Sequence, residues 1–244
     1  MTFLEVKNLS VKFPDFKALE GISFSAEEGK ITAIIGPNGA GKTVLFRALL
    51  GVLPYEGEII WHKKPTLGYV PQRLEFDRTF PLTVKELLLL KTKWPNFWLP
   101  KESALKEVVN SLNHTRAGHL LDKRVGKLSG GELQRVLIAY AIFGQSDFLL
   151  FDEPLSGIDI EGEMTIYGLI KHLAKELNLT VLFISHDLNI VSEYADSVIC
   201  LNKKLFCSGV PEKILTPEQL KALYGAPITF YLHKHEEPVK HHHS

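Results

Sequence analysis

Eight consecutive residues near the start of the chain combine glycines with a lysine and a hydroxyl side chain: positions 36–43 read GPNGAGKT. Glycines at this spacing let backbone N–H groups crowd around phosphate oxygens without side-chain clashes. The apolar run 31–35 predicts a buried strand before the motif and a helical pattern over 42–50 follows it, which is the context that a phosphate-binding loop requires. Lys42 would neutralise the outer phosphates, and the Thr43 hydroxyl would bind Mg²⁺. The predicted phosphate-contacting residues are Gly36, Pro37, Asn38, Gly39, Ala40, Gly41, Lys42, Thr43 and Val44.

A second motif, FLLFDEP at positions 148–154, places two carboxylates at the end of an apolar strand. Ligands of open α/β sheets bind at the carboxyl ends of the strands, so this motif and the glycine-rich loop are expected to meet. Asp152 is predicted to hold Mg²⁺ through water, and Glu153 to orient and deprotonate an attacking water. An isolated Asp-Glu-Pro is most often a solvated turn, but its pairing with the phosphate motif favours the catalytic interpretation.

The third motif is LSGGELQRV at positions 128–136. Ser129 followed three residues later by Glu132 is a capping box that opens a helix. A cap alone does not need two glycines behind it. Gly130 and Gly131 leave the helix N-terminus bare, which suits a second phosphate-binding surface. The predicted apolar face of this helix carries Leu133, Val136, Leu137, Tyr140 and Ala141.

With this third motif the chain resembles the ATP-binding cassette (ABC) family, whose LSGGQ signature is similar to LSGGE here, with Glu132 in the last position. Other family elements follow in order. Gln72 in GYVPQ resembles the Q-loop glutamine, and His186 in FISHDL resembles the switch histidine. LSGID resembles the D-loop, usually SALD, and keeps its aspartate at Asp159. Five ordered motifs over roughly residues 2–225 carry the resemblance.

An aromatic side chain near the first hairpin is the predicted adenine platform, where the family often has tyrosine. Phe13 aligns better with the family pattern, and Phe16 is the alternative. Both could instead be ordinary strand packing.

The resemblance implies a head-to-tail dimer that sandwiches two ATP molecules with Mg²⁺. It also implies integral membrane permease partners, an indirect link to a substrate-binding protein, and a position on the cytoplasmic face of the cell membrane. Thr43, Gln72 and Asp152 would hold the Mg²⁺. Each site would use Lys42, Thr43, Gln72, Asp152, Glu153 and His186 of one chain, with Asp159 nearby, and Ser129, Gly130 and Gly131 of the other.

Composition agrees with this interpretation. Basic and acidic residues number 28 each, so no basic field favours a nucleic-acid partner. The two cysteines, Cys200 and Cys207, are too few for a disulfide framework, and a reduced, intracellular setting is expected. No apolar run reaches the ~18–20 residues that cross a bilayer, so work at a membrane would require a partner.

The predicted fold is α/β, and the resemblance implies a P-loop NTPase (RecA-like) core. Strands over 4–11 and 22–25 predict an antiparallel β layer, whereas 148–151 and 181–184 join 31–35 in a parallel sheet. Helical patterns cover 82–93, 101–112 and 211–223. The domain prediction is one ABC ATPase domain over 1–232, with a core from 1–72 and 143–232, a helical subdomain over 73–142 that carries the signature, and a His-rich tail over 233–244.

The cargo is addressed only by resemblance. The stretch ADSVICLNKKLFCSGVPEKILTPEQLKALYG and the segment FPLTVKELLL are similar to ATPases of zinc, manganese and iron importers. Alternatives are another cargo, including export, a soluble ABC ATPase, and an ATP-binding module without turnover. The segment around Trp94, Phe97 and Trp98 could be a packed loop or a groove for a membrane subunit. Zinc-binding and inert interpretations both remain for His233, His235, His241, His242 and His243.

Overall fold

The computed structural model describes residues 1–72, 79–92, 102–153 and 160–225, with only the backbone given for 160–165. The strands in these ranges are β1 (Thr2–Phe13), β2 (Phe16–Glu27), β3 (Ile31–Ile35), β4 (Glu56–Trp61), β5 (Leu67–Val70), β6 (Phe148–Asp152), β7 (Thr180–Ile184), β8 (Ser197–Asn202) and β9 (Lys204–Gly209). The helices are α1 (Lys42–Leu49), α2 (Val84–Leu89), α3 (Glu102–His114), α4 (Gly130–Ile142), α5 (Ile160–Glu176), α6 (Leu188–Tyr194), α7 (Pro211–Ile214) and α8 (Pro217–Tyr224).

Two sheets form the β structure. The larger has the order β5-β6-β7-β3-β8-β9, and all its neighbours are parallel except β8 and β9. The smaller has the order β2-β1-β4 and is antiparallel. Every residue of β3, β6 and β7 is buried, which explains why all but one residue of each strand is apolar. The predicted α/β fold with a parallel core and an antiparallel layer is confirmed.

Three hydrophobic cores hold these layers together. One lies between the larger sheet and the helices α4, α5, α6 and α8, and the second lies between the two sheets and α1. The third is built by residues 84–143 from α2, α3 and one side of α4. The helix α4 therefore contributes to two cores at once, and it connects the helical part of the chain to the sheet.

Lys91 joins α2 to α4. Its ammonium donates hydrogen bonds to the carbonyls of Tyr140 (2.8 Å), Ala141 (3.2 Å) and Phe143 (3.1 Å). These oxygens belong to the C-terminal end of α4, where carbonyls lack helical partners and the helix dipole is negative. Burial lowers the pKa of Lys91, partly offset by Glu107. The ammonium thus fixes the far end of the signature helix.

The predicted elements match the structure best where burial dictates the pattern. Residues 31–35 form a strand with the predicted limits, whereas the predicted helix over 82–93 starts only at Val84. It starts there because Thr83 and Glu86 form a capping box. The limits of the strands β4, β5, β8 and β9 were not predicted from the sequence.

The sequence favoured a reduced setting without a disulfide framework, but the structure pairs its two cysteines. Cys200 of β8 and Cys207 of β9 are direct partners in the antiparallel register and form a disulfide. Their Cα atoms are 4.9 Å apart, within the range that a disulfide spans. The number of cysteines could not reveal this, because the pairing depends on the hairpin register.

Within the described part of the chain, no helix combines the length and the apolar character needed to cross a membrane.

Candidate functional site

The glycine-rich loop joins β3 to α1 at the carboxyl edge of the larger sheet. A Cβ added to Gly36 would lie 2.0 Å from the carbonyl oxygen of Leu201. At Gly41, where φ is +94°, it would lie 2.6 Å from Leu19 Cδ2 and 2.8 Å from the Ala18 carbonyl oxygen. Only glycine fits at these two positions. The loop is therefore a close-packed backbone cradle.

Lys42 lies over the start of this cradle. Its ammonium donates to the carbonyls of Gly36 (2.7 Å) and Pro37 (3.1 Å). Burial lowers the pKa of Lys42, and the charges of Glu153 and Asp152 oppose that shift. The side chain is thus held beside the loop, where a phosphate would be neutralised.

A cavity of about 320 Å³ opens in front of the loop. It lies where the predicted phosphate loop, Gln72 and Glu153 come together with residues of β2 and of the β8–β9 turn. Its lining residues are Phe16, Ala18, Asn38, Gly39, Ala40, Gly41, Lys42, Thr43, Val44, Gln72, Glu153 and Lys203. Sequence reasoning missed Ala18 and Lys203. Both belong to segments without a nucleotide motif.

The aromatic residue at this cavity is Phe16 and not Phe13. The two are register partners at the β1–β2 turn, and their rings stack with centroids 5.1 Å apart. Phe16 is 58% exposed and lines the cavity, whereas Phe13 is not among its lining residues. The position of each ring in the hairpin turn, which the sequence does not fix, therefore favours Phe16, the alternative, over Phe13 as the adenine platform.

Asp152 ends β6 and is 2% exposed. The Thr43 hydroxyl donates to its Oδ1 and the Tyr69 hydroxyl to its Oδ2, each at 3.4 Å. Burial raises the pKa of Asp152, and these two hydrogen bonds oppose the shift. The pKa of Tyr69 is raised to about 12 by burial and by the charge of Asp152. Tyr69 was not predicted, although its place in GYVPQ, three residues before Gln72, was a usable signal.

The Glu153 carboxylate contacts the side chains of Gln72 and His186. Gln72 Nε2 donates to Glu153 Oε2 at 2.9 Å, and His186 Nδ1 contacts Glu153 Oε1. Gln72, Glu153 and His186 follow β5, β6 and β7, which are adjacent parallel strands. Their carboxyl ends share one edge, so the topology brings the three side chains together. Glu153 also has a φ of +29°, a backbone conformation that is uncommon for a residue with a side chain.

The signature residues lie elsewhere. The predicted capping box is confirmed, because Ser129 Oγ accepts from the Glu132 N–H (3.3 Å) and Glu132 accepts from the Ser129 N–H (2.8 Å). Ser129 and Gly130 are exposed and Gly131 is half-buried. None of the three lines the cavity of its own chain. The structure therefore separates the phosphate loop from the signature within one chain.

Three predicted features lie outside the described residues. They are Asp159, the aromatic group Trp94, Phe97 and Trp98, and the histidines of the tail.

The residues at the cavity fit a magnesium–nucleotide complex. The cradle around Gly36 and Gly41 excludes side chains and leaves its backbone free to approach phosphate oxygens. Thr43, Gln72 and Asp152 offer hydroxyl, amide and carboxylate oxygens, the ligand type that Mg²⁺ prefers.

Comparisons with known proteins agree with this site. A family model described as ABC transporter matches residues 19–156. The chain is 39% identical over 240 residues to the zinc import ATP-binding protein ZnuC of Photorhabdus laumondii, covering 96% of this chain and 90% of the relative. It is 40% identical over 235 residues to ZnuC of Yersinia pseudotuberculosis, covering 94% and 89%.

Solved structures give the same result. An inward-facing putative metal-chelate type ABC transporter has a TM-score of 0.84 at 30% identity and covers 93% of this chain and 90% of its own. The cbiO1 protein of Clostridium perfringens, part of the ABC transporter complex cbiONQ, has a TM-score of 0.77 at 30% identity, covering 91% and 93%.

Proposed function

This chain belongs to the ABC transporter family as an ATP-hydrolysing subunit that powers a membrane permease, and we propose that its transporter imports a transition metal, with zinc as the cargo. The observation that supports zinc as the cargo is the sequence identity of about 40% to zinc import ATP-binding proteins along almost the whole chain. The likeness to a metal-chelate type transporter supports the same class of cargo. Manganese and iron are the competing metals.

Different residues around the cavity bind the nucleotide and catalyse its hydrolysis in this proposal. The backbone N–H groups of the loop and the Lys42 ammonium bind the phosphates, and Phe16 stacks on the adenine. Thr43, Gln72 and Asp152 would hold Mg²⁺, which would supply charge neutralisation at the phosphate oxygens. Catalysis then depends on positioning and on charge stabilisation more than on covalent chemistry.

Glu153 is the base in this proposal. Its carboxylate accepts the proton of the attacking water, and Gln72 and His186 hold its two oxygens in place. His186 also senses the outer phosphate, because it lies at the end of β7 beside Glu153.

A head-to-tail homodimer completes the site. The exposed N-terminus of α4 carries positive partial charge and bare glycines, but none of its residues lines the cavity of its own chain. Ser129, Gly130 and Gly131 of one chain would therefore bind the nucleotide held by the other, with Asp159 near this interface. The helical part over 73–142 would move as a subdomain against the core over 1–72 and 143–232. The dimer would lie on the cytoplasmic face of the membrane, and a substrate-binding protein would deliver the metal.

The cargo is tested by elemental analysis of cells whose only copy of the gene encodes the wild type or Glu153→Gln. Loss of the base should slow hydrolysis by about 10²–10⁴-fold. Under metal limitation we expect cellular zinc to fall in the variant, with manganese and iron unchanged. Immunoblotting for equal protein abundance is the control. A selective fall in manganese or iron would reassign the cargo, and unchanged levels of all three would remove metal import.

A further inference from the structure

A lysine outside the predicted nucleotide-binding motifs lies beside the phosphate loop. Lys203 forms the turn between β8 and β9, where Asn202 and Lys204 are register partners, and its φ is +59°. The Lys203 N–H donates to the Ala40 carbonyl at 2.9 Å, and the Lys203 carbonyl accepts from the Glu20 N–H at 2.7 Å. Two backbone hydrogen bonds therefore fix this residue between the phosphate loop and β2.

The charge of Lys203 is unmatched. Among the residues that the structure describes, no carboxylate pairs with it, and it lines the cavity in front of the loop. The adjacent Lys204 differs in both respects, because it pairs with Glu20 at 3.2 Å and does not line the cavity. Of these two neighbouring lysines, Lys203 is thus the one that lines the candidate nucleotide site, and it is exposed.

We propose that Lys203 is a second phosphate-binding cation of the nucleotide site. Its ammonium contacts the phosphates of the bound nucleotide from the Ala40 side of the loop, whereas Lys42 contacts them from the side of Gly36 and Pro37. This role rests on ATP binding at the loop. A cation held within reach of phosphate oxygens gains from a charge-assisted interaction, although its exposure lets solvent screen part of that gain.

The hairpin that carries Lys203 contacts the phosphate loop from a later part of the chain. The residues that match the ABC family model end at 156, so Lys203 lies in a part of the chain that the model does not cover. The β8–β9 hairpin is nevertheless anchored to the phosphate loop, through Lys203 and through the close approach of the Leu201 carbonyl to Gly36. The hairpin would thereby contribute to nucleotide affinity directly.

The test is calorimetric titration of the full chain with ATP, ADP and adenosine in EDTA, so that hydrolysis does not interfere. We expect Lys203→Gln to weaken ATP binding by about threefold to tenfold and to reduce its dependence on salt, while leaving adenosine unaffected. Lys203→Arg should retain the affinity. The matched control, Lys204→Gln, should stay within about twofold of the wild type.

Folding is checked by thermal unfolding of each variant. If Lys203→Gln misfolds, Lys203→Asn replaces it, because asparagine tolerates a positive φ. ATP affinity within twofold of the wild type for the Lys203 variant, or an equal loss for Lys204→Gln, would overturn the proposal. Lys42→Ala distinguishes a failure of the Lys203 proposal from a failure of the nucleotide site on which it rests. If it too leaves ATP binding unchanged, the nucleotide site at this loop is overturned, and the role of Lys203 falls with it.

Discussion

Two helices of this protein, α1 and α4, have glycines at their N-terminal ends, and their surroundings differ. The N-terminus of α1 is enclosed by β2, the β8–β9 turn and the ends of the parallel strands, and Lys42, Thr43 and Asp152 are bonded to one another or to the loop. The N-terminus of α4 is exposed, and among the described residues Ser129 bonds only within its own helix. The phosphate loop with the N-terminus of α1 is thus an enclosed half-site, the closed half. The N-terminus of α4 at Ser129, Gly130 and Gly131 is an exposed half-site, the open half. This is the arrangement expected of two halves that meet between chains.

Complementation between variants is the strongest test of whether the closed half and the open half meet between chains. Lys42→Ala disables the closed half, and Gly130→Asp disables the open half by placing a negative charge where phosphate would bind. An aspartate in the first turn also favours the helix, so folding is preserved. Each variant alone should lose about 100-fold or more of its ATP hydrolysis. Coexpressed chains should recover about a quarter of the wild-type rate, because half of the dimers are mixed and each mixed dimer keeps one intact site.

The matched control pairs two defects in the closed half, Lys42→Ala with Asp152→Asn. Mixed dimers of these chains contain no intact site and should stay inactive. If Lys42→Ala and Gly130→Asp also fail to recover, the two halves do not meet between chains.

A smaller effect tests the closed half alone. Gly41→Ala should weaken ATP binding by more than about tenfold, because the left-handed backbone costs about 1–2 kcal/mol and the new Cβ forces Ala18 and Leu19 aside. Gly144→Ala is the control, since Gly144 has a φ of +86° and open space around it. We expect it to lower stability without changing affinity, as measured by calorimetry and thermal unfolding. Equal affinities for both variants would contradict a close-packed cradle.

The smallest effect tests the open half. Ser129 and Thr83 both begin helices with a capping box, and both helices contribute to the same hydrophobic core. Replacing either by alanine should cost about 1 kcal/mol of stability. Ser129→Ala should also slow ATP hydrolysis by about tenfold, because it removes a hydroxyl that would bond a phosphate. A loss of turnover for Thr83→Ala of the same size would mean that stability, and not phosphate contact, sets the rate.

Much of the closed half could be predicted from the sequence. The limits of β3 follow from complete burial, which leaves a continuous apolar run. The meeting of Glu153 and His186 follows from their positions after two predicted parallel strands, because such strands end at one edge, whereas Gln72 was assigned to the site only by the family resemblance. The capping box of α4 follows from local chemistry alone.

What could not be predicted depends on antiparallel hairpins. The turn at Lys203 has no glycine to mark it, and the neighbouring pattern of β9 is half-exposed. The disulfide between Cys200 and Cys207 and the choice of Phe16 over Phe13 both depend on register, which is set by pairing across strands. No residue next to Lys203 in the sequence indicates that it lies beside the phosphate loop at 36–43.

The three hydrogen bonds of Lys91 have a mechanical consequence for the open half. They anchor α4 at its C-terminal end, and the helix has 13 residues, so its N-terminus lies about 20 Å from the anchor. A tilt of about 10° around this pivot moves Ser129 by about 3 Å. That displacement is the length of one hydrogen bond, so a neighbouring subunit that tilts α2 only slightly would make or break the contact that we propose for Ser129 across the dimer.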